Sequence, residues 1–282
     1  MDRLISTQQL ADALGKAETL VLDASLHLPG AGRDAGGEFA AAHIPGAHFL
    51  DLASLHDPAS SLPGKVPDSS RVAERLSTLG AGPDTHIVLY DDSDLRSACR
   101  AWYLLTVHGV DNVSVLDGGL GKWRAEGRPV EKGDAVAPIA APQTLGADRA
   151  FIRSKAEMLD NVSTHQEQVV DARDAGRFTG ETVDTVHNLP GGHIPGAKNL
   201  PFTQLFAPDG TFLPRPRLAE AFREAGIDLQ RPVVTSCGSG VTASVLTFAL
   251  TLLGAPTHAL YDGSWSEWGS DPATPKEQGP AQ

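Results

Sequence analysis

Arg231-Pro232-Val233-Val234-Thr235-Ser236-Cys237-Gly238-Ser239-Gly240-Val241-Thr242-Ala243 is the stretch on which the fold turns. Its first five residues read as a short β-branched, apolar strand of the kind buried on both faces of a parallel sheet. Beyond Gly240 the period changes. Val241, Val245, Phe248, Ala249 and Leu252 fall on one helical face, and Gly254 supplies the stop. Working outward, Gln168-Val169-Val170-Asp171 reads as a second strand, and Arg217 to Ala225 as a helix ended by Gly226. The first half has the same plan: a strand over Thr85–Tyr90, then a helix from Arg96 to Val107 closed by Gly109. Such alternation predicts an α/β protein with mainly parallel sheets flanked by helices.

The chain also repeats itself. His-Ile-Pro-Gly-Ala stands at 43–47 and again at 193–197, a shift of 150. Val21-Leu22-Asp23-Ala24 matches Val169-Val170-Asp171-Ala172 at a shift of 148, and Asp117-Gly118-Gly119-Leu120 matches Asp262-Gly263-Ser264-Trp265 at 145. Three matches in one order at a nearly constant offset mean duplication of a whole domain, since solenoid repeats run only about 20–50 residues. The expected layout is a first domain over 1–130, a linker over 131–149 carrying Pro138 and Pro142, a second domain over 150–269, and a disordered Pro- and Gly-containing tail over 270–282.

Charge narrows the function. Lys and Arg number 23 against 35 Asp and Glu, a net −12, which opposes binding to nucleic acid or to an anionic membrane. The longest apolar run, Val245–Leu253, is nine residues and contains two threonines, whereas a membrane span needs about 20. The opening residues show no basic segment followed by an apolar one, so no secretory signal is expected. Two cysteines cannot make a disulfide framework or a paired-cysteine metal site, and the ten histidines are scattered. No metal and no cofactor is expected, and the location expected is the reducing cytoplasm.

Cys237 stands apart from this ordinary background. It follows a buried strand and precedes a helix, at the strand ends where open α/β sheets bind ligands. Gly238, Ser239 and Gly240 let the backbone curl into an anion-binding nest, to which Val241 and Thr242 add the positive end of the helix. Both effects favour a reactive thiolate. A lone cysteine is by default a small buried hydrophobe, and Cys99, in a helical pattern with Trp102 and Leu105, reads that way. A shift of 145 sets Asp92 opposite Cys237, so the first copy reads as non-catalytic.

At this point the residues resemble the two-domain rhodanese family of sulfurtransferases, over about 5–268. The resemblance is carried by the paired His-Ile-Pro-Gly-Ala segments, by Cys237-Gly238-Ser239-Gly240-Val241-Thr242-Ala243 and by Tyr261-Asp262-Gly263-Ser264-Trp265-Ser266-Glu267-Trp268. The loop is similar to the 3-mercaptopyruvate sulfurtransferase branch; the thiosulfate branch typically has Arg and Lys where Gly238 and Ser239 stand. The resemblance implies tandem rhodanese-like domains, a catalytic Cys237 passing through a persulfide, and Arg177 as the arginine that grips substrate. It also implies a second arginine about nine residues on, where Val186 stands beside His187, which reads as a loop histidine. A first-domain aspartate and histidine are implied too, but Ala53 occupies the aligned aspartate position. Asp51 and His56 lie nearby out of register.

The chemistry that follows is transfer of a sulfane sulfur from a small-molecule donor to cyanide or to a thiol acceptor, such as thioredoxin or a small thiol. Cys237 is the expected nucleophile and Ser239 a proton relay, with Arg177, Gly238, Gly240, Val241 and Thr242 binding substrate. A loop without side-chain cations suits a monocarboxylate better than the thiosulfate dianion. The readings that compete are thiosulfate:cyanide transfer and a non-catalytic sulfur-binding or interaction module. A cysteine phosphatase needs an arginine six residues after its cysteine, where this chain has Ala243.

Overall fold

The computed structural model describes residues 2–133, 140–141, 143–146 and 149–281. The chain divides into two compact units, one of residues 1–57, 67–148 and 206–212, the other of 58–66, 149–205 and 213–282.

The first unit runs β1 (Leu4–Ile5), α1 (Thr7–Ala13), β2 (Thr19–Asp23), α2 (Ala35–Ala41), β3 (His48–Phe49), α3 (Ser69–Thr78), β4 (His86–Tyr90), α4 (Ala98–Val107), β5 (Val113–Leu116) and α5 (Gly119–Ala125). Its five strands form one sheet in the order β1-β5-β4-β2-β3, every pair parallel. The second unit repeats it with β6 (Ile152–Arg153), α6 (Lys155–Thr164), β7 (Gln168–Asp171), α7 (Ala175–Thr179), β8 (Lys198–Asn199), α8 (Arg215–Glu224), β9 (Val233–Ser236), α9 (Ala243–Leu253), β10 (His258–Tyr261) and α10 (Ser264–Trp268). The order β6-β10-β9-β7-β8 is again all parallel. The α/β class and the duplication read from the sequence are therefore what the chain adopts.

The inner strands are apolar because both faces are covered. All four residues of β9 are buried, and so are the first eight of α9. Gly254 closes α9 in the left-handed conformation, at φ +73°. Each unit has its own core, built around Trp123, Tyr90 and Phe39 in the first and around Trp265, Trp268, Tyr261 and Phe178 in the second.

The repeated histidines are structural. His43 stacks on Phe39 at 4.1 Å and bonds the Phe39 carbonyl, and His193 does the same on Phe178 at 3.9 Å. Their backbones pair with Glu131 and Glu277 respectively.

That second pairing corrects the expectation of a disordered tail over 270–282. Thr274 is buried, Trp268 donates to the Pro275 carbonyl, and Glu277 bridges to His193, so residues 270–281 finish the unit's core. Residues 134–139, 142 and 147–148 of the expected linker lie outside the described residues.

Duplication also corrects the partner of Cys237. The carbonyl of Cys237 accepts from Trp265 N–H, and in the first unit Asp91, not Asp92, accepts from the equivalent Leu120. One residue of length difference between the copies moves the match by one place.

Candidate active site

Strand order decides where the second unit can bind a ligand. From β7 the chain goes outward to β8, then returns to β9 on the other side, so β7 and β9 flank the switch point of the sheet. Ligands bind at such a point, beyond the carboxyl ends of the strands. The Ala172 N–H to Ser236 carbonyl bond, 2.8 Å, holds the two exits together.

Cys237 leaves β9 with 2% of its surface exposed, and its loop is riveted from behind. Cys237 N–H donates to Ser264 Oγ, the Cys237 carbonyl accepts from Trp265 N–H, and the Gly238 carbonyl accepts from both N–H and Oγ of Ser266. Gly240, at φ +85°, turns the chain so that its N–H donates to Cys237 Sγ at 3.1 Å. An amide aimed at sulfur favours a negative charge there. Among the described residues, the N–H groups of Ser239, Val241 and Thr242 meet no acceptor. Together with the first turn of the eleven-residue α9, they leave donors at the loop for an anion.

Arg177 lies on α7, which follows β7. Its Nε donates to Asp174 Oδ2, and its Nη1 stands 3.6 Å from Asp184. Burial pulls its pKa down, but the Asp174 hydrogen bond and the charges of Asp174, Asp184 and Cys237 more than reverse this. Arg177 is thus electrostatically coupled to the sulfur, and its side chain keeps 23% exposure.

Three residues at this edge escaped the sequence reading. Arg173, 1% exposed, pairs with Asp171 at 2.7 Å and lies over the Trp265 ring at 4.7 Å. Asp184 is wholly buried and receives His187 Nδ1 at 3.0 Å on both oxygens. Burial alone would raise the Asp184 carboxyl, yet the His187 hydrogen bond and the His187 and Arg177 charges bring it down to about 2. His187 corrects the reading of a plain loop histidine. A Cβ on Gly238 would sit 2.1 Å from its Cε1, so the ring fills the space of a side chain at 238. Only the Asp-x-x-His spacing hinted at this pair.

The other expected residues have local roles. Asp51 caps the turn at Leu52–Ser54, and His56 Nδ1 is 2.9 Å from the Ala53 carbonyl, both in the first unit. Cys99 is buried, which pushes its thiol well above the ordinary range. Ala243 is buried at the start of α9, where an arginine clamp would be required for phosphate. Among the described residues no group of three His, Cys, Asp or Glu side chains is placed to hold a metal ion.

Comparison with known proteins agrees with this geometry. A rhodanese-like domain matches residues 6–126 and again 154–271. The human 3-mercaptopyruvate sulfurtransferase is 39% identical over 271 residues, 94% of this chain and 91% of the relative. The thiosulfate sulfurtransferase of Gallus gallus is 38% identical over 94% of this chain and 92% of its own. Among solved structures, the crystal structure of SseA, a 3-mercaptopyruvate sulfotransferase of Escherichia coli, superposes with a TM-score of 0.85 at 34% identity, covering 94% of this chain and 99% of that one. Two matched domains over most of the length, on the all-parallel sheets described above, place the chain in the rhodanese family.

Proposed function

We propose that this chain is a sulfurtransferase that takes sulfur from 3-mercaptopyruvate onto Cys237. The Cys237 thiolate attacks the donor sulfur, the carbon–sulfur bond breaks, and its electron pair leaves on carbon as pyruvate enolate, which a proton then quenches. Cys237 is left as a persulfide. A thiolate acceptor, a small thiol or a protein thiol such as thioredoxin, attacks the outer sulfur and releases the Cys237 thiolate; cyanide does so as thiocyanate. The observation that carries this reading is the Gly240 N–H on Cys237 Sγ at the mouth of α9. It is a cradle for charge on sulfur in a loop without side-chain cations.

Arg177 would hold the donor carboxylate, Gly238, Gly240, Val241 and Thr242 would line the loop with amides, and Ser239 would pass the proton. The first domain, 1–130, would be non-catalytic: Asp91, at the cysteine position, spends its oxygens on the Ser93 and Ala98 amides. Both cysteines are free, as suits work in the cytoplasm. No helix among the described residues is long and apolar enough to cross a membrane.

Intact mass before and after donor tests the reading. With 3-mercaptopyruvate the protein should gain one sulfur atom, and Cys237→Ser should gain none. Faster loading from thiosulfate would favour the second donor, which the avian relative's name keeps in view. No adduct from either would leave a binding module.

A further inference from the structure

The side chains around Asp184 form a charge cluster that the persulfide step does not use. Three buried or half-buried carboxylates, Asp171, Asp174 and Asp184, face two guanidiniums, Arg173 and Arg177. Arg173 is sealed from solvent. Arg177 has its Nε on Asp174 and one terminal nitrogen near Asp184, so only part of its fork is left for a ligand. The third cation this set calls for is His187, whose Nδ1 lies 3.0 Å from both oxygens of Asp184.

Tethering fixes the rest of the ring. With Nδ1–H given to Asp184, Nε2 is the nitrogen that remains, and among the described residues it has no hydrogen-bond partner. The ring edge lies against Gly238, the residue after the cysteine. A side chain keeping 11% exposure here can meet a bound ligand. Buried carboxylates behind a histidine set its tautomer and favour the imidazolium.

We propose that His187 determines donor specificity: its Nε2–H, on an imidazolium held by Asp184, binds the carboxylate of a 2-oxo acid donor alongside Arg177, and the ring bars any side chain at position 238. The charged groups facing the ring are Asp184 from its own loop, Arg173 and Arg177 with their carboxylates from the β7–α7 side, and Cys237 from the β9–α9 turn. Carboxylate binding favours the protonated ring, so donor affinity is full at low pH and falls as the ring loses its proton. The proposal rests on the sulfurtransferase reading above.

The test uses the whole chain and two readouts. Pyruvate, which has the carboxylate but no thiol to titrate, is measured as a ligand by calorimetry between about pH 5.5 and 8.5. Its Kd should rise with pH in the wild type. In His187→Gln the Kd should be about tenfold weaker at low pH and nearly flat, the size expected for losing one charge-assisted hydrogen bond. His187→Lys, a cation throughout this range, should restore tight binding without the pH dependence. Kinetically, His187→Gln should raise KM for 3-mercaptopyruvate about tenfold with kcat within about twofold. A Kd in His187→Gln that keeps the wild-type value and slope overturns the proposal, and so does a failure of His187→Lys to bind more tightly than Gln above neutrality. Persulfide mass in the wild type separates the two readings: with the adduct present and Kd unmoved, only the role of His187 falls, and with no adduct from either donor both fall.

Discussion

Gly238 shows how one missing side chain shapes the site. Its φ is not the reason for glycine there; the reason is the His187 ring, 2.1 Å from where a Cβ would stand. Alanine at 238 must push the ring off Asp184 or pull the loop off its Ser266 hydrogen bonds. Overpacking of this kind costs about 1–3 kcal/mol. Gly238→Ala is therefore expected to unfold at lower urea and to lose about tenfold in kcat/KM for 3-mercaptopyruvate, mostly through KM, since the Cys237 cradle is made by Gly240. Steady-state kinetics beside a urea titration checks both; an unchanged KM would mean that the ring moves aside without consequence. The importance of Cys237 was legible in the sequence because strand, glycine turn and helix are consecutive in the chain. That of Asp184 and His187 was not, because the contact of His187 with Gly238 joins residues some fifty positions apart.

At the scale of elements, the active loop is braced by the segment that carries Asp262. This carboxylate is 2% exposed and holds two groups of the 58–66 stretch: Val66 N–H at 2.9 Å and Lys65 Nζ at 3.1 Å. Gly64, at φ +67°, lies close enough that a Cβ on it would be 3.3 Å from the Ser239 carbonyl. Asp262→Ala removes a charged acceptor from a buried site, a loss of roughly 2 kcal/mol. We expect amide exchange at Val66 to accelerate while the β9 amides keep their protection, read by hydrogen exchange with mass spectrometry; uniform acceleration of both would mean the aspartate supports the whole unit instead. The sequence marked Asp262 through its repeat but gave no sign of what it held. Long elements such as α9 were readable from their period and their closing glycine. The two-residue strands β6 and β8 were not, since two residues carry no period.

At the scale of the whole chain, duplication has left two copies of one sheet with opposite electrostatics at matching places. The second copy has Cys237 after its central strand; the first has Asp91, buried and pushed up to about 6 by desolvation, which its amide hydrogen bonds and Arg96 only partly offset. An acid whose folded pKa lies above its ordinary 3.8 binds more protons folded than unfolded between those values. Stability must then fall as pH rises from about 4 to about 6, and level off beyond. Asp184 in the second copy, held down to about 2, has the reverse sign: its contribution is present above 3.8 and is lost as pH falls toward 2. The two effects occupy different windows, so they can be separated. Asp91→Asn cannot titrate, and thermal unfolding of the full chain at a series of pH values should show its Tm gaining on the wild type from about pH 4 to about 6, then running parallel. Curves parallel throughout would mean that Asp91 is not desolvated in the folded chain. A first copy that bears a buried carboxylate where its twin bears a nucleophile loses stability for it at neutral pH. That loss is tolerable because the Ser93 and Ala98 amides give the carboxylate a structural use.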